Sequence, residues 1–360
     1  MLKEGLYRRL PELMQLETLI NHSLPTLSHI NTATEVVSYA ELDNIPLPIY
    51  KISIGAIDKH SPCLFFVGGV HGLERIGSQV VISLLDSLCQ RLHWDESLHQ
   101  KLSRIKLVFM PLLNPVGMAK RYRSNGNHVD LMRNAPVEST ERTAWLVGGH
   151  RISKYIPWYR GIAQNAMEIE AQALTNEVLK VTESSPFTLA LDCHSGFGTK
   201  DRLWFPYARS KFQPISQIGA LYHLREMFFN AFPHQNYLFE PQTKHYTCHG
   251  DLWDYLYDIA DKRQQHLLPL TLEMGSWRWV RKNPLQLLDR IGLFHPMKPH
   301  RIQRVLRTHL TLTEFLMNAT YSYQHWYQSD QNDDFAQQAQ LLWYPQYASK
   351  QTRQYYEPNR

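Results

Sequence analysis

No run of apolar residues in this chain approaches the roughly 20 that would cross a bilayer as a helix, and no membrane partner is expected. The opening residues, MLKEGLYRRLPELMQLETLI, interleave acids and bases with apolar positions, where a secretory signal needs an unbroken apolar stretch. No export is expected. Cysteine is scarce: Cys63, Cys89, Cys193 and Cys248 lie far apart, three of them in or beside apolar runs, which suits reduced, buried thiols and not a disulfide framework. A cytoplasmic protein is the expectation. Charge of one sign is missing too. The 38 basic and 33 acidic residues leave a net charge of +5, too mild and too scattered to recommend a nucleic-acid partner. Nor is there an internal repeat, and compositional bias appears only near the end.

What is present is the composition of an ordinary globular protein, 43% hydrophobic and 20% charged over 360 residues, enough chain for one or two cores. Leu10, Leu13, Leu16 and Leu19 recur at helical spacing and predict an amphipathic helix over 5–21. TEVVSYAEL and IPLPIYKISIGA, rich in β-branched and aromatic residues with DNIP between them, predict an antiparallel pair. Four short apolar runs follow, CLFFVGGV, IKLVFMPLLN, FTLALDCH and LLPLTLEMG, each reading as a strand buried on both faces. Helical stretches near 76–92, 162–181, 214–231 and 301–317 alternate with them. The fold class is therefore α/β: a single domain around a mixed, mostly parallel sheet with helices on both sides. Residues 1–45 are expected to form an N-terminal helix and first strand packing on the body, 46–320 the main domain, and 321–360 an extension rich in Gln, Tyr and Trp. That extension is too aromatic for a free tail and is expected to pack on the body or on another subunit.

Polar residues gather where those strands end, the edge at which open α/β sheets bind ligands. His71 and Glu74 follow the first run, Asn114 and Pro115 the second, His194 the third and Glu273 the fourth. Residues three apart face opposite ways on a strand, but in a tight turn they lie on one side and can grip one ion. Gly68 and Gly69 let the backbone turn just before His71. Imidazole and carboxylate are both natural zinc ligands, and a catalytic zinc takes three protein ligands and keeps one position open. His71, Glu74 and His194 make such a set for one zinc ion per chain. Glu273 is left to take a proton from water that the metal has made more acidic.

The order HGLE (71–74), NPVG (114–117), RSNGNHVDLMRN (123–134), LDCHSG (191–196) and LEMG (272–275) resembles the zinc carboxypeptidases of the M14 type, in particular bacterial members related to the succinylglutamate desuccinylase and aspartoacylase branch. YRG (159–161) and EAQAL (170–174) resemble two further blocks of that family. The resemblance covers about 50–280 and implies a carboxypeptidase-like fold and hydrolysis of an amide bond in a peptide with a free C-terminal carboxylate. It implies that Arg123 polarises the scissile carbonyl, that Arg133 clamps the terminal carboxylate with Asn114 also on the substrate, and that Tyr246 folds over it. Lys120 and Arg121 compete with Arg123, but only Arg123 has the family's offset to Asp130. Met132 stands where the family has asparagine, which removes a hydrogen-bond donor to the substrate. That departure keeps alive an N-acyl amino-acid deacylase, as does a muropeptide hydrolase as a neighbouring variant; a catalytically silent binding module is the non-enzyme alternative. Asp130 buttresses its loop or a ligand histidine. Asp192 either orients a ligand imidazole or caps its strand. In HYTCH, His245, Cys248 and His249 lack a fourth ligand for a second metal. Cys193 points into the core. Trp277 and Trp279 line a pocket or simply pack, and Arg278, Arg281 and Lys282 attract acidic substrates or are ordinary surface.

Overall fold

The computed structural model describes residues 2–164 and 166–347. Eight strands, β1 (Thr32–Leu42), β2 (Ile45–Gly55), β3 (Cys63–Gly68), β4 (Lys106–Met110), β5 (Thr188–Ser195), β6 (Asp201–Phe205), β7 (Tyr237–Pro241) and β8 (Leu267–Met274), form one sheet in the order β1-β2-β4-β3-β5-β8-β6-β7. The four apolar runs are β3, β4, β5 and β8, side by side and parallel. Side chains alternate across them, so Leu64 and Phe66 enter one core and Phe65 and Val67 the other. Each of these is fully buried, a gain of roughly 1.5–3 kcal/mol per large side chain. The β1–β2 hairpin is antiparallel and turns at Asp43 and Asn44, both at positive φ (51° and 63°), which these two residue types tolerate best after glycine.

Twelve α-helices flank the sheet among the described residues. They are α1 (Leu2–Arg9), α2 (Pro11–Thr18), α3 (Arg75–Arg91), α4 (Glu96–Leu102), α5 (Pro115–Lys120), α6 (Ile169–Glu183), α7 (Ile218–Ala231), α8 (Leu252–Lys262), α9 (Trp277–Lys282), α10 (Pro299–Tyr321), α11 (Tyr323–Trp326) and α12 (Asn332–Trp343). Helices α3 and α10 pack on the face holding Leu64 and Phe66, and α6 and α8 on the opposite face.

Four elements differ from expectation. The helix expected over 5–21 breaks at Leu10, whose φ of −133° and ψ of 65° put it outside the helical region, as the residue before a proline prefers. Pro11 then opens α2, where its missing N–H costs nothing. The helix expected from 162 begins only at Ile169, after Glu168 has anchored to the Asn125 and Asn127 amides at 2.8 and 2.6 Å. Strands β6 and β7 escaped notice because they are five residues long and carry charge; Arg202 and Glu240 pair across them at 3.0 Å.

Both chain ends described here lie on the body. Glu12 of α2 is buried and accepts from Arg75 Nε at 3.0 Å, from Arg75 Nη2 and from Gln79 at 3.1 Å, fixing the start of α3. Helix α12 rests on α7, Trp343 donates to the Phe239 carbonyl at 2.9 Å, and Tyr327 stacks near Phe187 with ring centres 4.5 Å apart. Residues 348–360 lie outside the described residues.

Glu12→Ala leaves the Arg75 guanidinium buried without its partner and should cost about 3 kcal/mol, read as a lower urea midpoint; a loss under about 1 kcal/mol would show the pair to be no better than a surface ion pair. On α10, His309 is buried beside the Tyr237 hydroxyl (2.7 Å), and burial pushes its pKa down to about 4. The unfolded chain takes up a proton there near pH 6.5, so stability falls as pH drops from about 6.5 through 4, by roughly 3 kcal/mol for a shift of this size. His309→Phe should flatten that part of the stability curve, and an unchanged acid slope in denaturation measurements would refute the assignment.

Candidate active site

The turn after β3 is built from close backbone approaches. Gly69 sits at φ +70°, and a Cβ there would lie 2.4 Å from Ser78 Oγ. At Gly72 a Cβ would lie 2.1 Å from the carbonyl carbon of Gly117, so the NPVG loop presses directly on the HGLE turn. The Glu74 amide donates to the His71 carbonyl at 3.0 Å, which brings the two side chains to the same side. Glu74 occupies the N-cap position of α3 yet makes no capping hydrogen bond. Its carboxylate turns instead towards the strand ends.

There it meets β5 and β8, whose register places His194 directly beside Glu273. Glu74 Oε2 accepts from His194 Nδ1 and from the Ser195 amide, both at 3.0 Å. One donor atom from each of His71, Glu74 and His194 lies within 4.8 Å of the others, and the imidazole centres are 5.1 Å apart. All three residues are buried, as is Glu273. Asp192 Oδ2 accepts from His194 Nε2 at 2.7 Å and from Trp253 Nε1 at 2.9 Å. Of its two candidate roles, the structure therefore shows the one that orients a ligand imidazole. Arg123 closes the ring, donating to Glu74 Oε1 at 2.9 Å, to His71 Nε2 at 2.7 Å and to Asp130 at 3.0 Å. Asp130 also caps the turn at Met132 (3.1 Å) and lies 3.9 Å from His71 Nδ1.

The charges are uneven. Burial, reinforced by Arg123, holds His71 well below its usual pKa, leaving a neutral imidazole. Burial also opposes charge on His194, but a carboxylate at each ring nitrogen, Asp192 above all, outweighs it and holds the group well above its usual value. Glu273 is pushed up to about 8, by burial first and then by the nearby Glu74 carboxylate, while the Phe197 amide donates to its Oε1 at 2.9 Å. The donor set fits zinc: two imidazoles and one carboxylate converge, lone pairs of His71 and Glu74 already face a cation in Arg123, and His71 Nδ1 is a buried polar atom with no hydrogen-bond partner. It is the one such group of three among the described residues.

A cavity of about 340 Å³ opens beside this cluster, and Arg133, Tyr246, Met132 and Trp277 line it with the ligand residues and Glu273. Arg133 is buried, donating to the carbonyls of Met132 (3.1 Å) and Val147 (3.3 Å) and to the Tyr246 hydroxyl (3.4 Å). Asn114 does not reach the cavity. Its side chain caps α5 at Gly117 (2.8 Å) and donates to the carbonyls of Val70 and Ser124 (3.1 Å each), so the amide expected on the substrate is consumed in joining the loops. Lys120 and Arg121 face Asp43 and Asp289 instead of the ligands. In HYTCH, His245 binds Glu240 and His249 pairs with Glu138, and neither joins a metal-ligating group. Cys193 is buried in the core. One lining residue escaped the sequence reading. Asp251 uses Oδ1 to cap α8, at 3.0 Å from the Trp253 amide, but its buried Oδ2 has no hydrogen-bond partner. An Asp before an apolar helix reads as an ordinary cap, which hides the second oxygen.

Comparison with known proteins agrees with this geometry. Residues 40–276 match the zinc carboxypeptidase family model, Peptidase_M14. Carboxypeptidase SOL1 of Arabidopsis thaliana is 22% identical over 259 residues, covering 69% of this chain and 47% of that protein. Carboxypeptidase D of Homo sapiens is 21% identical over 290 residues, covering 74% of this chain and 19% of that protein. The chain thus spans about half the length of the first relative and about a fifth of the second. The crystal structure of thrombin activatable fibrinolysis inhibitor superposes with a TM-score of 0.65 at 16% identity, over 86% of this chain and 74% of that one. Carboxypeptidase A from Helicoverpa armigera gives 0.59 at 14% identity, over 85% and 72%. These structures share the carboxypeptidase-like α/β fold. With two thirds of its length matched and the metal-binding cluster formed, the chain belongs to the M14 zinc carboxypeptidase family.

Proposed function

We propose that this chain is a metallocarboxypeptidase that removes the last residue from a peptide or peptide-like substrate with a free C-terminal carboxylate. The observation that carries this reading is Arg133: a buried guanidinium facing a cavity, with no carboxylate in ion-pair contact among the described residues. Asp130 and Asp251 act on it only from a distance, so its fork is left without a direct carboxylate partner, and the planar fork matches one. The substrate's terminus supplies the missing charge.

His71, Glu74 and His194 would hold a zinc ion, which would supply Lewis acidity to polarise the scissile carbonyl and make water a better nucleophile. Glu273, its Oε1 held by the Phe197 amide beside the ligand cluster, would be ionised by the charge of the bound cation and then take the proton from the attacking water and return it to the departing nitrogen. Arg123 contributes fixed positive charge where negative charge develops on oxygen. Tyr246, its ring centre 5.8 Å from the Arg133 guanidinium, closes over the bound terminus. Four buried, unpaired cysteines suit a reducing, cytoplasmic setting. Met132, on the cavity wall, offers no hydrogen bond to a substrate and favours a second reading, an N-acyl amino-acid deacylase.

Purified protein should carry about one zinc ion per chain and lose it in His71→Ala, as elemental analysis would show; a metal-replete preparation without zinc in either would overturn the site. Glu273→Gln should keep its metal but lose on the order of 10²–10⁴ in kcat. A panel of C-terminally free, C-terminally amidated and N-acyl amino-acid substrates decides between the two readings. Cleavage confined to free C-termini, with KM about 100-fold higher in Arg133→Ala, supports the carboxypeptidase. Cleavage of N-acyl amino acids alone supports the deacylase.

A further inference from the structure

A second, larger cavity of about 720 Å³ lies on the other side of α9 and of the loop that follows β5. Lys200, Arg278, Lys282, Arg301 and Arg304 line it, against a single acid, Asp201. That acid is already committed: both its oxygens accept from Arg278 Nη2, at 2.9 and 3.0 Å, and Oδ1 also accepts the Gly275 amide at 2.9 Å. Arg301 is held by the Trp279 carbonyl at 3.0 Å. Lys200, Lys282 and Arg304 are exposed and form no ion pair among the described residues.

Dispersed on a convex surface, such cations would be ordinary solvated charge. Here they line one concavity, whose low-dielectric walls concentrate the field. The first turn of the 23-residue α10 adds its positive end, since His300 and Arg301 lie on the cavity wall. The volume falls in the range of small-molecule sites. The mild net charge of the chain and the confinement of these cations to one concavity match a compact anion better than a long polymer.

We propose that this cavity binds a small anion carrying several linked phosphate groups, at a site separate from the catalytic one. Arginine forks and lysine ammonium groups are the donors that phosphate oxygens select, and more than one phosphate is needed to neutralise the four cations, Lys200, Lys282, Arg301 and Arg304, that Asp201 leaves unpaired. The two sites share a wall. Trp277 lines the catalytic cavity while its neighbours Arg278 and Trp279 line the basic one, and Phe197 and Thr199 divide the same way.

Calorimetric titration of the full, zinc-loaded chain with sodium tripolyphosphate at low salt should show a single saturable site. Because phosphates also bind zinc, the titration is repeated on His71→Ala, where the affinity should stay within about twofold. Lys282→Ala combined with Arg304→Ala should weaken binding about tenfold or more and leave the thermal midpoint unchanged. Lys262→Ala with Arg263→Ala, at the end of α8, should change nothing. ATP tests the source: binding tighter than tripolyphosphate marks a nucleotide site, and binding of tripolyphosphate alone marks an inorganic polyphosphate site. Absence of saturable heat, loss of binding in His71→Ala, or full affinity in the Lys282→Ala and Arg304→Ala double variant would each overturn the proposal. None of these outcomes depends on peptidase activity, so the result is separable from the reading of the catalytic site.

Discussion

The Glu74 carboxylate is the point at which separate parts of the chain meet. It belongs to the turn after β3, yet its partners are the imidazole and backbone at the end of β5 and a guanidinium from the loop beyond β4. A buried carboxylate is tolerable here because each of its oxygens accepts from an N–H or a cation. The Asp192 contact to His194, the Asp130 contact to Arg123 and the Arg75–Glu12 pair at the next residue of α3 are all supports for that one charge. The N-terminal helices therefore matter to chemistry they never touch.

The sheet edge was legible in the sequence because its signals are local and strong. Apolar runs long enough to cross a sheet, each ending in a ligand-type side chain, point to one architecture and one edge. His71, Glu74, His194, Glu273 and Arg133 followed from that pattern and from the resemblance, and the structure brings all five to one cavity. What failed to read through depended on partners distant in the chain. Asn114 carries the same functional group whether it contacts a substrate or ties Val70 to Ser124, and only the fold shows which. Asp251 looked like a helix cap and is one, with a second oxygen left over. Strands β6 and β7 are too short and too charged to show a period, their charges answering each other across the pair.

Helix α9 and the loop after β5 have a double place in this architecture. The first has Trp277 on the catalytic cavity and Arg278 on the basic one, and the second has Phe197 and Thr199 on the same two sides. Phe197 is also the residue whose amide holds Glu273. Backbone that lines the basic cavity is thus continuous with backbone that holds Glu273.

The register that sets His194 beside Glu273 governs how this site comes into being. Its components lie in the turn after β3 and at the ends of β5 and β8, spread over the span from His71 to Glu273. Their meeting depends on lateral pairing of parallel strands, the slowest class of contact for a chain to find. A metal ion therefore meets its complete set of ligands only after the central sheet has zipped.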